Sequence, residues 1–454
     1  MAMTATAHAP LPPHPRDVAV LGSMPDLARG YVETFVSGWR ECGDVVRFRG
    51  PRPMCIVAHP DDVRRVLVDR EPNYPRSPIV KTGLRALMGD GLFLADAEAA
   101  RVSRPAVSAA FDHAHVSALV EAMTAGVDRM LDRWQRRAAG AALDVRAEMT
   151  GLTLAVTARA VFGDADDVDP EAFRRGMMAA TEFAVPFVMA PVRPPPFAPS
   201  HRRYRRTLAD LDGLLLPAIA ARRRRLTGRP EPGGDLITLL LGAGLDDRRV
   251  RDEVLTAVFG AFKGVPDALA WTWYLLSKHP HAGRRVRSEA QDAPAGRSPT
   301  LEDLGRLRYT AMVVDEVLRL YPPLWILARG VVADDEIRGY RIRPGLAVLI
   351  CPYVTHRHPA FWDNPEGFLP ERFAPERAAG RHPYAYLPFG AGPRACVGEA
   401  FSRTLLKVVV AMVSRRFRLD LVPGHRHAMA NEFVLRPDSG MPMTLAPATG
   451  VSAP

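Results

Sequence analysis

Apolar positions recur with a helical period along most of this chain. After Gly398, Phe401, Leu405, Val408 and Met412 fall at i, i+4, i+7 and i+11, which makes one apolar stripe on a last helix. A second stripe, Val254, Val258, Ala261, Val265, Leu269 and Leu276, marks a long central helix. Asp246 is a suitable N-cap for it, and the pattern holds to about Ser277. From about 60 to 290 the pattern is helical, broken by proline-rich connectors, most sharply at 190–200 (APVRPPPFAPS). Two stretches differ. Residues 45–58 predict two short strands around a turn at Gly50, Pro51 and Pro53, and 329–352 predict a small sheet with β-branched runs and turn signals. The expected fold is mostly α with a small β region. It forms one domain over 21–454, behind a disordered, proline-rich lead-in at 1–20.

Composition narrows the functional classes. The hydrophobic fraction, 47% of 454 residues, suits a large core. No run of eighteen uninterrupted apolar residues predicts a spanning helix, and the N-terminus has no apolar signal core, so the expectation is a cytoplasmic protein without a membrane anchor. The net charge is +10, and among the 60 basic residues only Lys81, Lys263, Lys278 and Lys407 are lysines. Basic clusters at 201–206 and 222–225 lack interleaved aromatics apart from Tyr204. They predict solvated helix faces rather than a nucleic-acid surface, although a basic surface also suits an acidic electron-transfer partner. The four cysteines form no CxxC pair, and a disulfide framework is not expected. Cys42, Cys55 and Cys351 are expected to be inert thiols. The neighbours of Cys396 set it apart.

The segment Phe389-Gly390-Ala-Gly392-Pro-Arg394-Ala-Cys396-Val-Gly398 is arranged to hold a thiolate. A free thiol is mostly protonated at neutral pH and needs stabilising. A helix start favours an anion, and glycines let backbone N–H groups approach the sulfur. Phe389 can shield the sulfur from water, and Arg394 can pair with a carboxylate on a ligand's edge. A haem, flat, iron-centred and edged by two propionates, meets these demands. The residues Gly390 to Ala395 also fit G-x-G-x-x-[GA], the dinucleotide fingerprint. That motif must follow a buried strand, however, and HPYAYLPF with its two prolines is not one.

The segment resembles the haem-binding loop of cytochromes P450, F-x-x-G-x-R-x-C-x-G, at every fixed position. The resemblance covers about 20 to 446. It implies the cytochrome P450 fold, haem b as cofactor, and Cys396 as the metal ligand, with Phe389, Gly390, Arg394 and Gly398 around it. Glu316 and Arg319 in DEVLRLYPP, with Arg372 in PERF, look like the family's Glu-Arg-Arg triad, a structural lock. Arg329 and Arg104 match positions that hold the propionates, although Ala100 stands where a His or Trp usually assists Arg104. The central helix would cross the distal face with Ala261 against the haem.

One departure stands out. Where the family usually carries an acid and a threonine that help deliver protons, this chain has Lys263 and Gly264. Pro266 follows and removes the N–H to the Phe262 carbonyl, which favours a kink. Three chemistries stay open. In the first, dioxygen is used with water or substrate carrying protons. In the second, peroxide is used while Lys263 holds an anionic substrate group. In the third, coupling or rearrangement needs little proton delivery. Alternatively, Lys263 pairs with a carboxylate of a neighbouring helix. A haem-based sensor or carrier is a further alternative outside enzymes. The resemblance implies an apolar small-molecule substrate, a role in secondary-metabolite biosynthesis, a separate ferredoxin and ferredoxin reductase, and a monomer. Substrate-facing segments are expected at 74–93, 173–197, 258–266, 324–327 and 438–442.

Overall fold

The structure, a computed structural model, describes residues 9–18, 21–50, 52–137, 140–163, 168–189, 197–226, 234–292, 299–431 and 433–448. Eight of its helices frame the site and its surroundings: α1 (Pro78–Met88), α2 (Ala97–Ala109), α3 (Val145–Phe162), α4 (Pro170–Met189), α5 (Pro199–Arg225), α6 (Asp247–Lys278), α7 (Arg308–Leu320) and α8 (Glu399–Arg416). The central helix α6 begins where the sequence places it. Asp246 is extended, and its carboxylate accepts the Arg249 N–H at 2.9 Å. That satisfies one of the donors a helix start leaves unpaired. The helix runs through Pro266 unbroken and packs against α3, α5, α7 and α8. It is long and apolar enough to cross a membrane, but 67% of its most apolar window is buried inside the protein, which marks it as a core helix.

The main sheet has the order β1 (Val45–Phe48), β2 (Met54–Val57), β4 (Ala347–Ile350), β3 (Leu327–Arg329). β1 and β2 form the expected hairpin, with Phe48 opposite Met54. β2 runs parallel to β4, and β3 antiparallel to it, with Arg329 opposite Val348. Beyond β3 a single bridge pairs the backbone of Arg76 with that of Arg329. The sheet edge therefore carries two arginines from segments 253 positions apart to one place.

Part of the expected disordered lead-in is tied down. The carbonyls of Pro10 and Pro13 accept the N–H groups of Arg341 (2.8 Å) and Arg47 (2.7 Å), and Asp17 accepts the Arg49 Nε–H at 2.7 Å. Proline lacks a donor but keeps its carbonyl, so a proline-rich strand can still hydrogen-bond along a sheet edge.

Candidate functional site

The cysteine loop is shaped by two glycines. Gly390 and Gly392 both have φ 72, the left-handed region that other residues rarely adopt. A Cβ on Gly392 would lie 2.4 Å from the Leu67 carbonyl oxygen, so the loop sits backbone against backbone on residues 65–69. The Cys396 N–H donates to the Phe389 carbonyl at 2.9 Å and closes the turn that presents the sulfur. Gly398 caps α8 and aims its N–H at Cys396 Sγ. Arg104, on α2, donates to the Ala395 carbonyl at 2.7 Å and brings a positive charge near the thiol. Phe389 is half-buried, with the Arg403 guanidinium 5.1 Å from its ring centre. Cys396 keeps exposed surface, yet protein surrounds it closely enough that burial pushes its pKa up. The Gly398 N–H and Arg104 only partly oppose this. A cation at the sulfur turns such a thiol into a thiolate. By contrast, Cys55 and Cys351 are fully buried, with pKa values pushed up to about 12, and are inert as expected.

Three arginines converge at the end of β3. Arg329 is 3% exposed, and its pKa is lowered to about 10 by burial and by the charge of Arg394. Arg76 is held well below the usual guanidinium range by desolvation and by both other arginines. The Nε atoms of Arg76 and Arg329 are buried with no hydrogen-bond partner among the described residues. Arg394 is already engaged: its Nε donates to Glu71 at 2.6 Å and its Nη1 to the Ala95 carbonyl at 3.1 Å. Arg76 also lies 4.1 Å from the ring centre of Phe93. Three cations face one carboxylate. Buried cations need partners, so this cluster is short of negative charge, and two carboxylates on the edge of a flat ligand would supply it. The residues fit a haem. Arg76 and Glu71 have no motif in the sequence; only the sheet edge and the loop contact bring them here.

On α6, Gly260 is exposed, and Ala261 and Gly264 are half-buried. Lys263 Nζ sits 4.6 Å from the Phe262 ring centre. Its charge also acts on Asp267, one turn further along. Asp267 is 1% exposed and accepts the Arg146 Nε–H of α3 at 2.6 Å. Burial pushes its pKa up, while Arg146 and Lys263 oppose that. Sequence reasoning missed this pair, because an Asp and an Arg 121 positions apart leave no local signal.

The structure brings Glu316, Arg319 and Arg372 together. Arg319 makes a two-pronged contact with the Glu316 carboxylate at 2.7 and 2.8 Å, and Arg372 Nε donates to it at 3.0 Å. The Leu369 N–H adds a donor at 2.8 Å. The outer faces of the arginines donate to the carbonyls of His356, Pro365, Gly367 and Asp363. An apolar cavity of about 140 Å³ is lined in part by Ile79, Val188, Ile326 and Phe433, and also by Ser77 and Ala328, the chain neighbours of Arg76 and Arg329. Three of the expected substrate-facing segments contribute to it. Phe433 does so in place of 438–442, the expected 258–266 of α6 does not line it, and residues 190–196 lie outside the described residues.

Comparison with known proteins agrees with this geometry. A family profile for cytochrome P450 matches residues 12–444. Cyclooctatin synthase of Streptomyces melanosporofaciens is 30% identical, over 99% of this chain and 98% of its own length. Cyclooctat-9-en-7-ol 5-monooxygenase of the same organism is 32% identical over 90% of each chain. The crystal structure of a cytochrome P450DA mutant haem domain superposes with a TM-score of 0.85 at 26% identity, covering 97% of this chain and 98% of that one. With a family profile over nearly the whole chain, a relative at 32% identity and a matching backbone, the chain belongs to the cytochrome P450 family, as a haem-b-binding oxidoreductase of the monooxygenase type.

Proposed function

We propose that this protein is a dioxygen-dependent monooxygenase that oxidises a largely hydrocarbon small molecule, of the kind denoted by the names of its Streptomyces relatives, in secondary-metabolite biosynthesis. The cysteine loop carries the reading: a sulfur with the Gly398 N–H and Arg104 beside it, in a turn closed by the Phe389 carbonyl. Cys396 would hold the iron, with Phe389, Gly390 and Gly398 shaping its surroundings. Arg76 and Arg329, with Arg394 beside them, would hold the propionates, while Arg104, expected at a propionate, donates to the Ala395 carbonyl beside the sulfur. A thiolate-ligated haem supplies the activation of dioxygen that lets an unactivated C–H bond be attacked. The chain's own share is to position the substrate and exclude water. The apolar wall formed by Ile79, Val188, Ile326 and Phe433 would orient a substrate mainly by burial, with Tyr31, Arg49, Arg52 and Ser77 as the polar part of the lining.

Lys263 and Gly264 take no part as acid and hydroxyl. Lys263 is engaged along its own helix by the Phe262 ring and the charge of Asp267, which supports a structural role over that of an anion clamp. Protons then reach the distal side by water or by the substrate's own hydroxyl. Electrons come from a separate ferredoxin and its reductase. The test is turnover with ferredoxin, reductase and isotopically labelled dioxygen on a panel of cyclic hydrocarbons. Label in a hydroxylated product is expected. Turnover with peroxide alone, and none with ferredoxin, would overturn the reading. A Soret titration with apolar acids and their methyl esters checks Lys263: equal spin-state shifts leave it structural, and shifts with acids alone make it a clamp.

A further inference from the structure

The start of α8 carries two groups that compete for one helix end. Cys396 lies just ahead of the cap at Gly398, and Glu399 opens the helix. A helix start favours an anion, but a second anion beside the first costs free energy. The charge of Glu399 reaches the sulfur and acts there in the opposite sense to Arg104. Glu399 is not left alone. Arg403, one turn further along α8, donates its Nε–H to the Glu399 carboxylate at 2.8 Å. Its Nη1 donates to the Asp315 carboxylate of α7, and its guanidinium sits against the ring of Phe389, whose carbonyl closes the cysteine turn. Asp315 is itself fixed, because the Tyr386 hydroxyl donates to it at 2.8 Å. Lys407, the next basic residue on α8, is drawn off to the Leu304 carbonyl at 3.4 Å. A simple brace between α7 and α8 needs only Arg403 and Asp315. Glu399 joins neither helix to the other; its pairing faces the cysteine loop.

We propose that Glu399 and Arg403 form a charge pair that sets the reduction potential of the haem held by Cys396, with Arg403 as a positioning residue that neutralises Glu399 and seats Phe389. The inference rests on Cys396 as the iron ligand. The potential of such a centre follows the charges and hydrogen bonds around its axial ligand. Reduction of the ferric haem adds one electron, taken from the separate electron donor. An anion beside the sulfur opposes that electron, and a cation favours it. The intact pair places both charges together, so that their effects largely cancel. Either half alone would move the potential, and the two halves would move it in opposite directions.

The experiment is a reductive titration of the haem-loaded protein with dithionite and mediator dyes, followed at the Soret band. At a given solution potential, the ferrous-to-ferric ratio should rise roughly threefold or more in E399Q and fall roughly threefold or more in R403M. The double variant E399Q/R403M should return close to the wild-type ratio, and R403K should recover most of what R403M loses. Raised salt should shrink both single shifts, because the Glu399 side chain is 45% exposed. The Tm of haem-free protein reports bracing separately: R403M is expected to lower it, and E399Q to leave it within about a degree of wild type. An unchanged potential in E399Q, or shifts of the same sign in both single variants, would overturn the proposal. The ferrous carbonyl spectrum tests the ligand by itself. A wild-type spectrum without the thiolate-type band would overturn both readings; a thiolate-type band with unchanged potentials would overturn this one alone.

Discussion

Two arginine clusters lie in the interior of this protein, and they are built on opposite principles. Around Glu316 the pairing is closed. Both carboxylate oxygens are used, and the outward donors of Arg319 and Arg372 end on backbone carbonyls. Around Arg329 the pairing is open. Three guanidinium groups repel one another, Glu71 gives its hydrogen bond to Arg394 and only a more distant charge to Arg329, and two Nε atoms lack partners among the described residues. The first cluster is a finished piece of fold. The second is a fold that waits for anions. Buried charge therefore does not by itself indicate a ligand; an imbalance in its pairing does.

The contrast can be broken by mutation. Glu316→Gln should have the largest effect. It strands two buried cations and costs about 3–5 kcal/mol, seen as a lowered Tm with or without haem. A pH titration of stability should show the next effect. His356 is fully buried beside Arg319, accepts the Leu387 N–H at 2.9 Å, and has its pKa lowered to about 3. Its folded form favours the neutral ring, so the unfolded chain binds more protons between pH 6.5 and about 3. Its contribution is full above the unfolded value and is lost as pH falls, at roughly 1.4 kcal/mol per pH unit. The variant His356→Gln should flatten that slope in denaturant titrations at about pH 7 and pH 5. Unchanged slopes would show that His356 is not responsible.

Arg329→Met should produce a smaller effect of opposite sign. Relieving the repulsion should leave the haem-free Tm unchanged or raise it by a few degrees, while haem affinity falls roughly tenfold in a transfer assay to apomyoglobin. A large loss of stability in haem-free protein would erase the distinction between the clusters. The smallest effect is expected from Lys263→Met. Its charge assists a carboxylate that Arg146 already holds, so stability should fall by about 0.5 kcal/mol or less in denaturant titration, with no change in selectivity between acids and esters.

Much of this was legible in the sequence because it is local. The cysteine loop lies within ten residues, the Glu316–Arg319 pair is one helical turn, and the central helix announces itself by its N-cap and stripe. What stayed hidden is long-range. Glu71 meets Arg394 across 323 positions, and Arg76 reaches Arg329 through a single bridge at a sheet edge. No periodicity encodes such meetings. The lead-in misled for a related reason: its proline content suggests disorder, while its order at 9–18 comes from strands that begin dozens to hundreds of residues later.

Gly392 has a consequence for how this chain can change. Its missing side chain is what lets the cysteine loop rest directly on the backbone of residues 65–69. A joint of that kind has no rotamer to turn and no flexible tip to yield. The loop can vary its outward side chains at little cost, yet a single methyl at Gly392 would have to lift the whole perch of the sulfur. The position in this loop least able to accept a side chain is thus the one that holds the sulfur's perch in place.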